Sequence, residues 1–186
     1  VFGVKRARQT QPPRDRKWRP RPGPLAGRYR SWLADRGSLT RRLEARCPAF
    51  RVKLLYQGRG RATRDERFLA GGRARGAYVR EVFLYCGRTP VVFAHSVARA
   101  RDLKGPWRRL ARLGARPLGA ALFADPRVSR QPLRFRALTA RDALYARAGA
   151  ALERRPPALW ARRSVFTLGE SPILVTEVFL PGILEL

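Results

Sequence analysis

Ile173-Leu174-Val175-Thr176-Glu177-Val178-Phe179-Leu180 is a strand-forming run that carries a single charge, and Ala77-Tyr78-Val79-Arg80-Glu81-Val82-Phe83-Leu84-Tyr85, nearly a hundred residues earlier, reads the same way. Side chains two apart in an extended strand share a face. Glu177 therefore points with Ile173, Val175 and Phe179, and Arg80 points with Tyr78, Val82 and Leu84. An ionised group left unpaired in such company costs several kcal/mol. Each of the two must meet a partner, a bound ligand or a water-filled cavity. The structural alternative is that they pair with each other or sit on solvent faces.

Working outward from these two runs, strands are predicted over residues 50–57, 78–86, 91–97, 133–138, 164–168 and 173–180. Gly87-Arg88-Thr89-Pro90 and Leu168-Gly169-Glu170-Ser171-Pro172 have the glycine and polar composition of hairpin loops. Such short links make neighbouring strands antiparallel. Helical spacing of Trp32, Leu33, Leu39 and Leu43 predicts two short helices that join near Gly37, with Ser38 as N-cap of the second. Residues 99–123, with Leu103, Trp107, Leu110 and Leu113, read as helical, and Pro117-Leu118-Gly119 opens a further short helix. A last helix is predicted over residues 140–153, ending before Pro156-Pro157. The fold class is α+β, a largely antiparallel six-stranded sheet covered by helices.

The 186 residues suffice for one domain with a substantial core. Residues 1–24, rich in Arg and Pro and poor in periodic apolar positions, read as a basic flexible arm, leaving 25–186 as the folded domain. No run of about twenty apolar residues and no tripartite leader is present, so the expected compartment is the cytoplasm, with Cys47 and Cys86 as reduced thiols. The chain opens at Val1 and contains no Met, as a trimmed fragment or an alternative start codon would give.

Forty-one Lys and Arg against thirteen Asp and Glu give a formal net charge of +28. Such a field attracts nucleic acid, anionic membranes and small anions alike. The arginines are spread through every segment, including strand positions 134 and 136, instead of lining one helix or alternating with exposed aromatics. That spread points to a generally basic surface and away from a specific nucleic-acid groove.

One histidine and two separated cysteines are too few for a typical zinc or iron site, and the scattered acids form no spaced cluster for magnesium. The expected metal content is none. His95 and Ser96 are adjacent and so face opposite ways in a strand, which removes a Ser-His pair. Gly58-Arg59-Gly60 and Gly71-Gly72 lack the frame of a phosphate-binding loop. What remains is a strand Arg, whose fork matches a carboxylate, and a strand Glu, which can accept from a hydroxyl. The pair suits a partly apolar, disc-shaped acid and requires no cofactor.

Five separated motifs then bring a family into view: Ser38-Leu39-Thr40-Arg41-Arg42-Leu43-Glu44, Val79-Arg80-Glu81-Val82, Pro117-Leu118-Gly119-Ala120-Ala121-Leu122-Phe123, Leu159-Trp160-Ala161-Arg162-Arg163-Ser164 and Leu174-Val175-Thr176-Glu177-Val178-Phe179-Leu180-Pro181. In this order, from about Trp32 to Pro181, the chain resembles the chorismate lyases of bacterial ubiquinone biosynthesis. The resemblance implies cofactor-free release of pyruvate from chorismate, leaving 4-hydroxybenzoate, by a monomer that encloses its ligand under helical flaps. It places Arg80 on the ring carboxylate, Glu177 on the hydroxyl end, and backbone groups of Leu39 and Leu118 at two flap positions. One departure is Ala94-His95, where some relatives carry Gly-Arg; His95 is accordingly not assigned a catalytic role.

The same resemblance extends to effector-binding domains of bacterial transcription regulators, which makes a small-aromatic-acid sensor the alternative function. Those domains follow a winged DNA-binding domain, for which residues 1–24 are too short. Under the lyase reading the net charge is accessory, speeding capture of a dianion or drawing the chain weakly to anionic membrane.

Overall fold

A computed structural model describes residues 17–70 and 75–186. Among the described residues seven strands form one antiparallel sheet: β1 (Phe50–Gly60), β2 (Ala77–Cys86), β3 (Thr89–Arg99), β4 (Val128–Arg130), β5 (Arg134–Leu138), β6 (Leu159–Leu168) and β7 (Ser171–Phe179). The order runs β1-β2-β3-β7-β6, and β4 and β5 lie end to end along the outer side of β6. The six expected strands are all present, and the seventh is the three-residue β4, too short to give a periodic signal. β6 begins at Leu159, five residues before the sequence reading placed it. The two hairpins turn where expected, with Gly87 at φ 57° and Gly169 at φ 58°, a backbone region that glycine enters without steric cost.

The helices are α1 (Arg30–Ala34), α2 (Leu39–Glu44), α3 (Leu118–Ala124) and α4 (Ala143–Ala148). Ser38 caps α2 as predicted, its hydroxyl accepting from the Arg41 N–H at 3.4 Å. The expected helical stretch over 99–123 is broken into short 3-10 turns at Ala100–Lys104 and Leu110–Arg112 before α3. Trp107 anchors this segment, donating its indole N–H to the Ser171 carbonyl at 2.9 Å.

Strand alternation divides the sheet into two covered faces. On one, Val82, Leu84 and Phe179 pack under α1 and α2, and Ile173 and Phe166 pack under the 100–124 segment with Leu118 and Leu122. On the other, Phe83, Phe93 and Val178 meet α4, while Val79, Val97 and Leu174 meet residues 62–69. The first face is incompletely filled, and the cavity left there holds the site.

Residues 1–16 of the arm read over 1–24 lie outside the described residues. Trp18 is buried in the second face and donates to Asp65 Oδ2 at 3.1 Å, and Arg19 exchanges two backbone hydrogen bonds with Phe135.

The cysteines correct the sequence reading. Cys47, just after α2, and Cys86, at the end of β2, form a disulfide with Cα atoms 5.7 Å apart. Folding brings the two cysteines together across 39 residues, a proximity that no local feature of the sequence reveals. Among the described residues no helix is long and apolar enough to cross a membrane.

Candidate active site

Arg80 and Glu177 line one cleft on the first face of the sheet, whose empty space, mouth included, is about 610 Å³. Arg80 lies opposite Ser96 on β3, and Ser96 lies opposite Val175 on β7; Glu177 is two residues further along β7. Two strands and a two-residue offset separate their Cα atoms by roughly 12 Å on standard sheet spacings. After both side chains reach inward, that span leaves room for one small ring. The floor is apolar or small, with Val82, Ala94 and Val175 between the two charges.

The alternative in which the two charges neutralise each other does not occur. Arg80 is 3% exposed and uses one terminal nitrogen to donate to the carbonyls of Gly114 and Arg116, at 2.9 and 2.8 Å, while its buried Nε has no hydrogen-bond partner. No carboxylate pairs with it among the described residues. Burial pulls its pKa down to about 10, opposed by the nearby Tyr78, so the guanidinium remains charged at neutral pH. A buried cation held by carbonyl oxygens alone is electrostatically incomplete, and such a setting suits an anionic ligand.

Glu177 has a partner, and sequence reasoning missed it. Arg162 stands directly opposite on β6 and donates Nε–H to Glu177 Oε2 at 2.5 Å. Its NH1 donates to the Trp32 carbonyl at 3.0 Å and the Asp35 carbonyl at 2.5 Å, at the end of α1. Arg162 is 1% exposed. Glu177 is thus fixed from behind as an acceptor, and its second oxygen is left for the cleft. Arg162 belongs to one of the quoted motifs but lies two residues before the strand expected over 164–168, and it falls inside β6 because that strand begins at Leu159.

Leu39 and Leu118 open α2 and α3, at positions where backbone N–H groups have no partner within the helix. Both line the cleft. The two flaps meet at Gly119, where a Cβ would stand 3.1 Å from Thr40 Oγ1 and 3.3 Å from Ser38 Oγ.

His95 faces away from the cleft, as the alternation of Ala94 and Ser96 requires. It is 1% exposed and sits between Glu81 at 2.8 Å and Glu66 at 3.1 Å. Burial lowers its pKa, but hydrogen bonds and charge from Glu66 and Glu81 outweigh that and raise it to about 9. It is a buried structural cation.

Residues 23–185 match the family described as Chorismate lyase. A protein of Nitrosospira multiformis named "Probable chorismate pyruvate-lyase" is 51% identical over 171 residues, covering 91% of this chain and 95% of the relative. One of the same name from Aromatoleum aromaticum is 52% identical over 171 residues, covering 90% and 91%. Among solved structures, a GntR-family transcriptional regulator from Bacillus cereus superposes with a TM-score of 0.52 at 10% identity, over 72% of this chain and 93% of that one. The effector domain of PhnF from Mycobacterium smegmatis gives 0.51 at 14% identity, over 78% and 90%. These two share the fold alone. At half-identity over nearly the whole length of its relatives, the chain belongs to the chorismate lyase family.

Proposed function

We propose that this protein is a chorismate pyruvate-lyase in which Arg80 binds the ring carboxylate, Glu177 binds the hydroxyl end, and backbone groups of Leu39 and Leu118 complete the enclosure. The observation that carries this reading is the buried, carboxylate-free Arg80 facing a fixed carboxylate across an apolar floor.

Chorismate is a cyclohexadiene with a carboxylate, a hydroxyl on the opposite ring carbon and an enolpyruvyl ether next to that hydroxyl. The carbon–oxygen bond of the ether breaks, the hydroxyl-bearing carbon loses its proton, and a ring double bond forms between the two carbons. The enolpyruvyl methylene gains one proton as pyruvate forms, so protons balance and no co-reactant is required. Aromatisation drives the step. The chain holds the ring in the reactive orientation, presents positive charge to the departing oxygen and excludes water under the flaps. Arg80 anchors and polarises; Glu177 accepts from the hydroxyl and orients the ring.

Residues 25–186 are the catalytic unit of this reading, with Trp18 packed on its rear face. The chain acts as a monomer in the cytoplasm, needs no nucleic acid, and its +28 charge steers the dianionic substrate and favours weak contact with anionic membrane. Added salt should lower the second-order rate constant, and a salt-independent constant removes steering.

The deciding experiment follows pyruvate and 4-hydroxybenzoate together, in the presence of chelator, for the wild type and for Arg80→Ala and Glu177→Gln. Equal formation of both products, with product binding weakened about 10- to 100-fold by Arg80→Ala, is expected for a lost charge-assisted contact. Full activity in both variants would overturn the site assignment.

A further inference from the structure

The same cleft contains a second cation that the anchoring scheme does not use. Arg130, the last residue of β4, lines the cavity together with Arg80 and Glu177. NH1 donates to the Arg36 carbonyl at 2.7 Å, one residue before the cleft-lining Gly37. Its guanidinium lies over Phe166 at 5.1 Å and Phe123 at 5.4 Å, so two rings hold the plane in place. Nε is buried and has no hydrogen-bond partner, and no carboxylate forms an ion pair with this side chain among the described residues. Burial lowers its pKa, while the charge of Glu177 raises it, which puts the guanidinium within electrostatic reach of that carboxylate.

Arg80 and Arg130 are thus two guanidiniums in one cavity, each with an orphan Nε–H, and the Arg36 carbonyl that Arg130 holds adjoins Asp35, whose carbonyl accepts from the same Arg162 that pairs with Glu177. A monocarboxylate would satisfy only one of them. Chorismate has two carboxylates, and the enolpyruvyl ether is attached next to the hydroxyl-bearing carbon, so its carboxylate lies on the Glu177 side when the ring carboxylate is on Arg80.

We propose that Arg130 binds the enolpyruvyl carboxylate and stabilises the negative charge that grows on the departing enolpyruvyl group, a contact the product 4-hydroxybenzoate cannot make. The inference rests on the lyase reading and gives the cleft a division of labour. Arg80 recognises what substrate and product share. Arg130 recognises what is lost, so that breaking the ether bond dissolves one of the two anchors and lets pyruvate depart while the aromatic acid stays under the flaps.

The test compares wild type, Arg130→Met and Arg130→Lys in three measurements. These are kcat/KM for pyruvate release from chorismate, Kd for 4-hydroxybenzoate, and Kd for 3-(carboxymethoxy)-4-hydroxybenzoate, an unreactive acid with a second carboxylate where the ether group stands. Arg130→Met should lower kcat/KM about 10- to 100-fold and weaken the dianion by a similar factor, with 4-hydroxybenzoate affinity changed less than about threefold. Arg130→Lys should recover part of both losses, because the charge returns without the fork. Parallel loss of all three quantities would make Arg130 a general structural element and overturn the inference, as would unchanged kcat/KM in Arg130→Met. A folded wild type that releases no pyruvate would sink the lyase reading by itself, and the dianion-to-monoanion preference would still decide the role of Arg130.

Discussion

Arg162 and Glu177 face each other across the β6–β7 pair, and a single buried guanidinium joins the Glu177 carboxylate to the carbonyls of Trp32 and Asp35 about 130 residues away. The side chain that fixes the carboxylate of the cleft also fastens the end of α1 beneath the first flap. Site geometry and flap position therefore depend on one residue.

Replacing Arg162 by Met leaves a half-buried carboxylate and two carbonyls without their donor. Unfolding free energy should fall by up to about 3 kcal/mol, the lower end of the cost of breaking a buried pair, because water can reach the Glu177 carboxylate left behind. Arg162→Lys should fold better yet release pyruvate more slowly, since one ammonium cannot reproduce the fork between carboxylate and carbonyls. Denaturant titration read beside kcat checks both. A lysine variant with wild-type kcat would show that orientation of Glu177 is not set by Arg162.

Gly119 is where the flaps touch, and even one carbon added there stands 3.1 Å from Thr40 Oγ1. Gly119→Val should push α3 away from α2 and open the cavity. The expected outcome is faster dissociation of 4-hydroxybenzoate, by about 10-fold or more if the lost contacts amount to ~1.4 kcal/mol, measured by competition stopped-flow. Unaltered dissociation would mean the ligand leaves by a path that does not part the flaps.

The His95 cluster sets a pH dependence for stability. Its folded pKa of about 9 lies above its ordinary value of 6.5, so the stabilisation is complete below 6.5 and is lost as pH rises through 9. Burial opposes ionisation of Glu66 and Glu81, but His95 and the hydrogen bonds to Thr63 and Arg147 hold both below the ordinary 4.5. Their contribution is present above 4.5 and is lost on acidification below it. Stability should therefore peak between about pH 4.5 and 6.5 and decline by a few kcal/mol towards pH 10. Thermal unfolding from pH 4 to 10 checks this, and His95→Gln should flatten the alkaline limb. A wild-type Tm that is constant from pH 6.5 to 9.5 contradicts it.

The Cys47–Cys86 bond closes 39 residues between the α2 flap and the end of β2. On the chain-entropy account a loop of that size is worth roughly 4 kcal/mol. Reduction, or Cys47→Ser with Cys86→Ser, should lower the denaturation midpoint accordingly. Activity at 25 °C should persist, because neither cysteine lines the cleft. Thiol titration on protein taken rapidly from cells measures how much of the bond is present there.

The sequence by itself determined the strands that carry the site and the faces of Arg80 and Glu177, because two-residue alternation is a local property of an extended chain. It also determined the Ser38 cap and both glycine turns, which follow from the chemistry of one or two residues. Only the tertiary structure decided which charges meet. Arg162 and Arg130 are two arginines among very many, and nothing local distinguishes the one beneath Glu177 or the one beside it from those facing solvent. Their partners come from α1 and the 36–37 turn, far away along the chain. The cysteine pair and the His95–Glu66 contact were hidden for the same reason. Pairing across a sheet is fixed by register and packing among distant segments, and a one-dimensional pattern holds no measure of that distance.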